Sequence, residues 1–297
     1  MFACSLAVVR PSDWPSALFM FDDSVGWASG SEDYERVAGA LNRRLTSCSP
    51  MWPQRWLGTL FSKLYTVHRR DTLRLRDIVS LAGSEAQARV AVSRLRKIGL
   101  IYVFSTTHRA KEYFLGHPVL VPYLTTGRLR NLDLIRQSRY ARLVGLFSVE
   151  ALEALPEIKS VVLYGSVSRG VAHNDSDVDL LVLIDSGKTL GERIRQLSQV
   201  EDSRETGTEL DWLDTHGVYT HISILPLTER EAMHFPPILL DILEDGIPIV
   251  DDGTFLNLRD RLRSRLVAAG ARREFLSPNE WYWDLAPQLT AGEAYAP

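Results

Sequence analysis

A glycine, a serine and two aspartates between residues 165 and 179 have the types and spacing needed for phosphate chemistry. One apolar run leads into Gly165 and Ser166, and a second follows Asp177 and Asp179. Glycine allows close approach of a ligand to the backbone, and a turn that opens a helix offers free N–H groups to a phosphate. The pattern therefore predicts a phosphate cradle at Gly165–Ser166, to which Arg169 is placed to contribute.

Asp177 and Asp179 are separated by one residue, so on a strand both carboxylates would project to the same face. Carboxylate oxygens are the hard ligands that suit Mg²⁺, which often binds together with substrate phosphates. Two such ions about 3.5–4 Å apart can stabilise the attacking and leaving oxygens of a phosphoryl-type displacement. We expect both aspartates to be catalytic metal ligands. Alternatively they only cap strands and loops, and Arg169 pairs with Asp175 or Asp177.

The chain from Gly165 to Val182 resembles the nucleotidyltransferase superfamily that includes DNA polymerase beta, through its Gly-Ser, Gly and Asp-x-Asp signature. The resemblance implies a mixed β-sheet flanked by helices. It also implies a nucleoside triphosphate, expected to be ATP, at Gly165–Ser166 and two Mg²⁺ ions at Asp177 and Asp179. The end of the chain, from the helix expected at Leu240–Gly246 onward, resembles prokaryotic and largely archaeal proteins with this domain.

The chain departs from this superfamily where a later strand normally supplies a third carboxylate. The best candidate strand is Val218–Leu225, on which Ser223 occupies the expected position and His221 shares its face. Neither residue is a carboxylate, although a histidine can act as a base near neutral pH. Three acidic residues before that strand could substitute if their loop folds inward, namely Glu209, Asp211 and Asp214.

Positive charge is concentrated in one part of the chain. Residues 55–142 hold 17 Lys and Arg against 5 Asp and Glu, whereas the remainder holds 17 basic and 32 acidic residues. Such asymmetry favours a polyanionic partner for the basic part and cation binding in the acidic part. The alternative is a solvated basic surface that rests against an acidic neighbouring domain.

The basic part also has a helical pattern. Apolar periodicity from Trp56, a break at Gly83 and a capping position at Ser84 predict three helices, and residues 100–115 predict a hairpin. Residues 56–120 therefore resemble a winged helix-turn-helix domain, and the resemblance implies duplex DNA or tRNA as its partner. Ala88, Val92 and Leu95 would face its core. The outward positions of the recognition helix are Gln87, Arg89, Ser93, Arg94, Arg96 and Lys97. Alternatively this domain serves only dimerisation or docking.

We expect an α+β protein: a winged helix-turn-helix domain followed by a nucleotidyltransferase-like mixed β-sheet flanked by helices. The expected segments are an unassigned extension at 1–54, the winged domain at 55–122, a helical connector at 123–156 and the transferase-like domain at 157–297. Only two cysteines are present, and no apolar run approaches the ~20 residues that cross a bilayer. A cytoplasmic protein without a membrane partner is therefore expected.

Two functions remain open at this point. The first is a Mg²⁺-dependent nucleotidyltransferase that moves a nucleoside monophosphate from a triphosphate to a hydroxyl of an RNA or protein acceptor. An antitoxin-like role would require a separate toxin partner, and the winged domain suggests a homodimer. The second is a DNA-binding transcriptional regulator whose nucleotidyltransferase domain senses nucleotide with weak or no catalysis.

Overall fold

The computed structural model describes residues 54–107, 110–234, 236–277 and 280–285. The expected N-terminal extension lies outside the described residues, except for Gln54. The described residues divide into two compact units, with the boundary between Asp133 and Leu134. Every helix in the described ranges is too short or too polar to cross a bilayer.

The described part of the first unit contains three helices and an antiparallel hairpin in the order that the sequence predicts, followed by a short fourth helix. Its elements are α1 (Arg55–His68), α2 (Leu75–Ala82), α3 (Glu85–Lys97), β1 (Ile101–Thr107), β2 (Ala110–Leu115) and α4 (Leu120–Thr125). The helical pattern is locally encoded, since the Ser84 hydroxyl accepts a hydrogen bond from Gln87 N at 3.3 Å and so caps α3. Ala88, Val92 and Leu95 are buried in the core of this unit, as expected.

The second unit places one sheet among several helices. Two 3₁₀ turns (Leu132–Leu134 and Ser138–Tyr140) lie around its beginning. Its longer elements are α5 (Ala141–Ala154), β3 (Ile158–Tyr164), α6 (Gly165–Arg169), β4 (Val178–Ile184), α7 (Leu190–Glu201), α8 (Arg204–Thr215), β5 (Ile222–Leu227), α9 (Glu229–Ala232), α10 (Ile238–Asp245), β6 (Ile247–Asp251) and α11 (Thr254–Ala268). A second hairpin follows, formed by β7 (Arg272–Ser277) and β8 (Glu280–Asp284).

The sheet has the strand order β5-β4-β3-β6. Strand β3 pairs antiparallel with β4 and β6, whereas β4 pairs parallel with β5. The sheet is therefore mixed and flanked by helices, as predicted. Strands β3 and β4 are central, and their apolar residues are almost all buried because both faces of the sheet are covered. This buried pair of strands fixes where the Gly165 turn and the aspartates lie.

Candidate active site

The phosphate turn predicted at Gly165–Ser166 joins β3 directly to α6. Tyr164 is extended, and Gly165 then adopts a φ of +75°, which L side chains rarely tolerate. Helix α6 has only 5 residues and is followed by Gly170, which also has a positive φ. Ser166 lies half-buried in this short helix. The turn is therefore a tight bend with its backbone close to the end of the neighbouring strand.

Asp179 lies against this turn because of the strand register. Tyr164 at the end of β3 pairs with Asp179 near the start of β4. A Cβ atom on Gly165 would overlap the Asp179 carboxylate oxygen Oδ2 and would lie 3.0 Å from Cγ. Glycine is thus required at position 165 for two independent reasons, its backbone conformation and the space that the carboxylate occupies.

Asp177 lies one residue before β4, so only Asp179 is within the strand, contrary to the expectation for both. Asp177 is exposed and Asp179 is half-buried. Burial raises the pKa of Asp179 and the negative charge of Asp177 raises it further, while a Ser223 hydrogen bond and the Arg169 charge lower it. Two carboxylates and a cation therefore interact around the glycine turn. An added divalent cation would relieve the repulsion between the carboxylates.

Tyr164 adds a second perturbed group beside Asp179. Burial, followed by the Asp179 charge, raises the pKa of Tyr164 to about 12. Its phenol is therefore neutral at physiological pH. Because Tyr164 and Asp179 pair directly across antiparallel strands, the uncharged tyrosine and the carboxylate lie on the same face of the sheet.

Arg169 ends α6, and its guanidinium Nη1 is 3.8 Å from Asp245 Oδ2 at the end of α10. Arg169 thus forms an ion pair with Asp245, a partner that the sequence analysis did not consider. The Arg169 charge also lowers the pKa of Asp179, so it acts on that carboxylate. The structure thus brings Gly165, Ser166 and Arg169 together with the aspartates.

Ser223 occupies the position at which a third carboxylate would be expected. It pairs with Asp179 across the parallel β4 and β5 strands, and its hydroxyl hydrogen-bonds to the Asp179 carboxylate. His221 is exposed and lies one residue before β5. Among the described residues, no group of three or more His, Cys, Asp or Glu side chains could hold a metal ion.

The acidic residues suggested as substitutes do not lie in a loop. Glu209, Asp211 and Asp214 belong to helix α8, on which Asp211 and Asp214 are exposed. Glu209 is fully buried, and its Oε2 is 2.7 Å from Arg142 Nε. The Arg142 guanidinium also lies 4.3 Å from the centre of the Trp212 ring. Glu209 is therefore an internal ion-pair partner.

A metal ion or nucleotide would have to fit this donor set. Asp177 and Asp179 provide hard anionic oxygens, and the open side of Asp177 leaves room for the waters that Mg²⁺ retains. The close contact of Gly165 with Asp179 places the backbone of the turn next to those oxygens. Mg²⁺ with a triphosphate is compatible with the residues present.

The residues predicted to contact nucleic acid are all exposed on α3 of the first unit. Arg89 forms an ion pair with Glu85 one turn earlier, at 2.5 Å. Arg94 donates to Gln54 and lies 5.9 Å from the centre of the Trp56 ring. The other predicted contacts are Gln87, Ser93, Arg96 and Lys97. Exposed pairs of this kind contribute little to the free energy of folding, so a phosphate can replace Glu85 or Gln54 as the partner of the arginine.

Sequence reasoning missed the residues that hold the loop between the turn and the aspartates. Arg136, Gln137 and Tyr140 hydrogen-bond to backbone atoms of residues 169–173. These partners are 33 to 35 residues apart in the chain. No periodicity or motif indicates such a contact. Asp245 belongs to the Leu240–Gly246 segment, and no sequence signal indicates its pairing with Arg169.

Comparison with known proteins gives a family for the region that contains this site. The model of the family described as "Nucleotidyltransferase domain" matches residues 148–249. No curated protein matches the chain.

Two solved structures show weak similarity. A crystal structure of a toxin–antitoxin with AMP-PNP is 14% identical, with a TM-score of 0.30, and the match covers 43% of this chain and 92% of that one. A mutant of the toxin–antitoxin MntA-HpeT is 16% identical, with a TM-score of 0.26, and the match covers 40% and 87%. These similarities assign no substrate or partner. The family match, which contains the glycine turn, both aspartates and Ser223, shows that residues 148–249 of this chain are a nucleotidyltransferase domain.

Proposed function

We propose that the protein transfers a nucleoside monophosphate from a nucleoside triphosphate, with ATP as the expected donor, to a hydroxyl of an RNA or protein acceptor. The observation that carries this proposal is the contact between Gly165 and Asp179, with Asp177 two residues away in the family-matched segment. Asp177 and Asp179 hold two Mg²⁺ ions, and Gly165, Ser166 and Arg169 bind the phosphates. Bound Mg²⁺ supplies charge neutralisation on the triphosphate.

The residues of this chain contribute position and charge. The acceptor oxygen forms a bond with the α-phosphorus, the bond from that phosphorus to the bridging oxygen breaks, and pyrophosphate leaves. The Gly165–Ser166 turn orients the phosphates, and the Arg169 guanidinium offsets the charge that develops on pyrophosphate. Because the Asp177 side is open to solvent, water receives the proton of the acceptor hydroxyl.

Pyrophosphate release tests this proposal. The full chain is incubated with each labelled triphosphate, Mg²⁺ and cell extract, and both pyrophosphate and labelled macromolecules are measured. We expect labelling that requires Mg²⁺ and that falls about 1000-fold or more in Asp177→Asn and Asp179→Asn, since several kcal/mol of transition-state stabilisation are lost. Equal labelling by the wild type and both variants would contradict the assignment.

We also propose that residues 55–122 form a winged helix-turn-helix domain that binds duplex DNA or tRNA through α3. Its three helices, its hairpin and the exposed basic residues of α3 support this proposal. A triple change of Arg94, Arg96 and Lys97 to alanine should weaken binding and reduce its salt dependence, because fewer counterions are released. If binding changed neither with salt concentration nor in this triple variant, residues 55–122 would not be a nucleic-acid-binding domain.

A DNA-binding regulator with a weak nucleotide-sensing site is the second candidate. Ser223 beside Asp179 favours it, because a hydroxyl takes the place of the third carboxylate. Tight, salt-sensitive binding to duplex DNA without turnover of any triphosphate would favour this function. An antitoxin-like role and a homodimer also remain predictions. Mass measurement of the purified protein, and of what co-purifies with it, tests both.

A further inference from the structure

The loop from Gly170 to Ser176 connects the glycine turn to the aspartates, so its conformation decides how the two halves of the site face each other. Its second half is held by the segment before β5: Asn174 O accepts from Tyr219 N at 2.7 Å, and Ser176 O accepts from Thr220 Oγ1 at 2.8 Å. Its first half is held from a different part of the chain, residues 136–140.

Gln137 makes the most specific of these contacts. Its amide Nε2 donates to Ala172 O at 2.8 Å, and its Oε1 accepts from Ala172 N at 3.0 Å. The backbone N–H can only donate and the backbone carbonyl can only accept, so this pair of bonds fixes the orientation of the amide. Both polar backbone groups of the buried Ala172 are satisfied by one side chain, in place of a neighbouring strand.

Two neighbours of Gln137 hold the same loop. Arg136 Nη1 donates to Arg169 O at 3.1 Å, and Tyr140 donates through its hydroxyl to His173 O at 2.8 Å. Gly170 packs so closely that an added Cβ would lie 2.9 Å from both Cβ and Cδ of Arg136. Four hydrogen bonds and a close packing contact thus join residues 136–140 to residues 169–173.

We propose that Gln137 is a positioning residue for nucleotide binding, which sets the loop that carries Arg169 at one end and leads to Asp177 at the other. The proposal rests on the function proposed above. It goes beyond the family match, because Gln137 precedes the matched segment 148–249. Gln137 acts through its two hydrogen bonds to Ala172. Its loss therefore weakens the binding of a triphosphate by leaving the loop with several conformations.

The test uses the full chain with Gln137→Ala, and with Gln199→Ala as the matched control. Gln199 is exposed on α7, so the control makes the same change of residue type outside the loop. Affinity for ATP with Mg²⁺ is measured by calorimetry, and amide hydrogen exchange at residues 170–174 is measured without nucleotide. We expect Gln137→Ala to weaken ATP binding about 10-fold and to speed exchange of the Ala172 amide, with Gln199→Ala unchanged in both.

Gln137→Glu separates positioning from general stability. A carboxylate can still accept from Ala172 N but cannot donate to Ala172 O and repels that carbonyl, so Gln137→Glu should weaken ATP binding at least as much as Gln137→Ala. The thermal midpoint of Gln137→Glu should stay close to that of Gln199→Ala. Wild-type affinity in both Gln137 variants, or unchanged exchange at Ala172, would overturn the proposal.

Failure of the proposed function gives a different result. If the wild type binds no ATP with Mg²⁺, the nucleotide site itself is contradicted. The exchange measurement on the ligand-free protein then still decides whether Gln137 holds the loop. Gln137→Ala could lower the thermal midpoint and yet bind ATP with wild-type affinity at temperatures below that midpoint. This result would show a role in stability alone and would also overturn the proposal.

Discussion

Two carboxylates of the second unit have opposite surroundings. Glu209 is fully buried beside the Arg142 guanidinium, which neutralises it. Asp179 is half-buried beside Asp177, a like charge, and against the backbone of Gly165. A buried charge paired with a cation stabilises one arrangement of the interior, whereas repelled carboxylates at a glycine turn are suited to a bound cation. The neighbours, more than the residue type, separate a structural carboxylate from a candidate metal ligand.

The largest expected effect is a loss in the free energy of unfolding when the structural carboxylate Glu209 is changed. Glu209→Gln leaves the buried Arg142 cation without its charged partner, which costs about 3–5 kcal/mol in comparable buried pairs. Urea denaturation followed by tryptophan fluorescence measures this loss, with Asp211→Asn as the exposed control on the same helix. Transfer activity per folded molecule should be unchanged. A loss of Mg²⁺-dependent activity without a loss of stability would instead make Glu209 the missing third carboxylate.

A slightly smaller effect is expected at the glycine turn. Gly165→Ala forces a Cβ onto the Asp179 carboxylate at a φ of +75°, so the carboxylate or the turn must shift. We expect nucleotidyl transfer to fall about 100-fold, since a 1 Å misplacement can cost that much. The control is Gly187→Ala, where no atom lies within 4 Å of the added Cβ. Equal activity of the two variants would show that the contact with Asp179 has no role in the reaction.

Ser223 allows the site to be made more like that of a three-carboxylate enzyme. Ser223→Asp adds a negative charge beside Asp179, and we expect about 10-fold tighter Mg²⁺ binding because cation affinity rises with ligand charge. Without Mg²⁺ the added repulsion should lower the thermal midpoint, and Mg²⁺ should restore it. Ser198→Asp, an exposed position on α7, controls for the added charge. Identical Mg²⁺ titrations of the two variants would contradict the placement of the metal site.

The smallest expected effect is a change in the thermal midpoint when Asp179 is replaced by asparagine. Its folded-state pKa is raised, so its favourable contribution is present below the unfolded pKa and is lost as the pH rises through the folded pKa. Asp179→Asn removes the half-buried charge and should raise the thermal midpoint by a few degrees at pH 7 without Mg²⁺. That gain should vanish at a pH below the unfolded pKa of aspartate. A lower midpoint at pH 7 would show that the charge is stabilised in the fold.

The sequence predicts much of the fold because its signals are local. The caps and apolar periodicity of α3 lie within one helix, and the apolar runs on either side of Gly165 and Asp179 are typical of buried strands. The position of Ser223 opposite Asp179 was also predicted, and the strand register confirms it. The prediction of a loop at Glu209 was wrong, since the residue lies in helix α8. Its partner Arg142 lies in helix α5, 67 residues away in the chain.

The sequence by itself determined which residue types are available for phosphate and metal binding, since a glycine–serine pair and two aspartates one residue apart are properties of short segments. Only the tertiary structure decided that Asp179 lies against Gly165, that Glu209 is neutralised and that Gln137 binds Ala172. Each of these contacts joins distant positions, and strand register and helix packing select the partner from many residues of the same type. Local spacing contains no information about that selection.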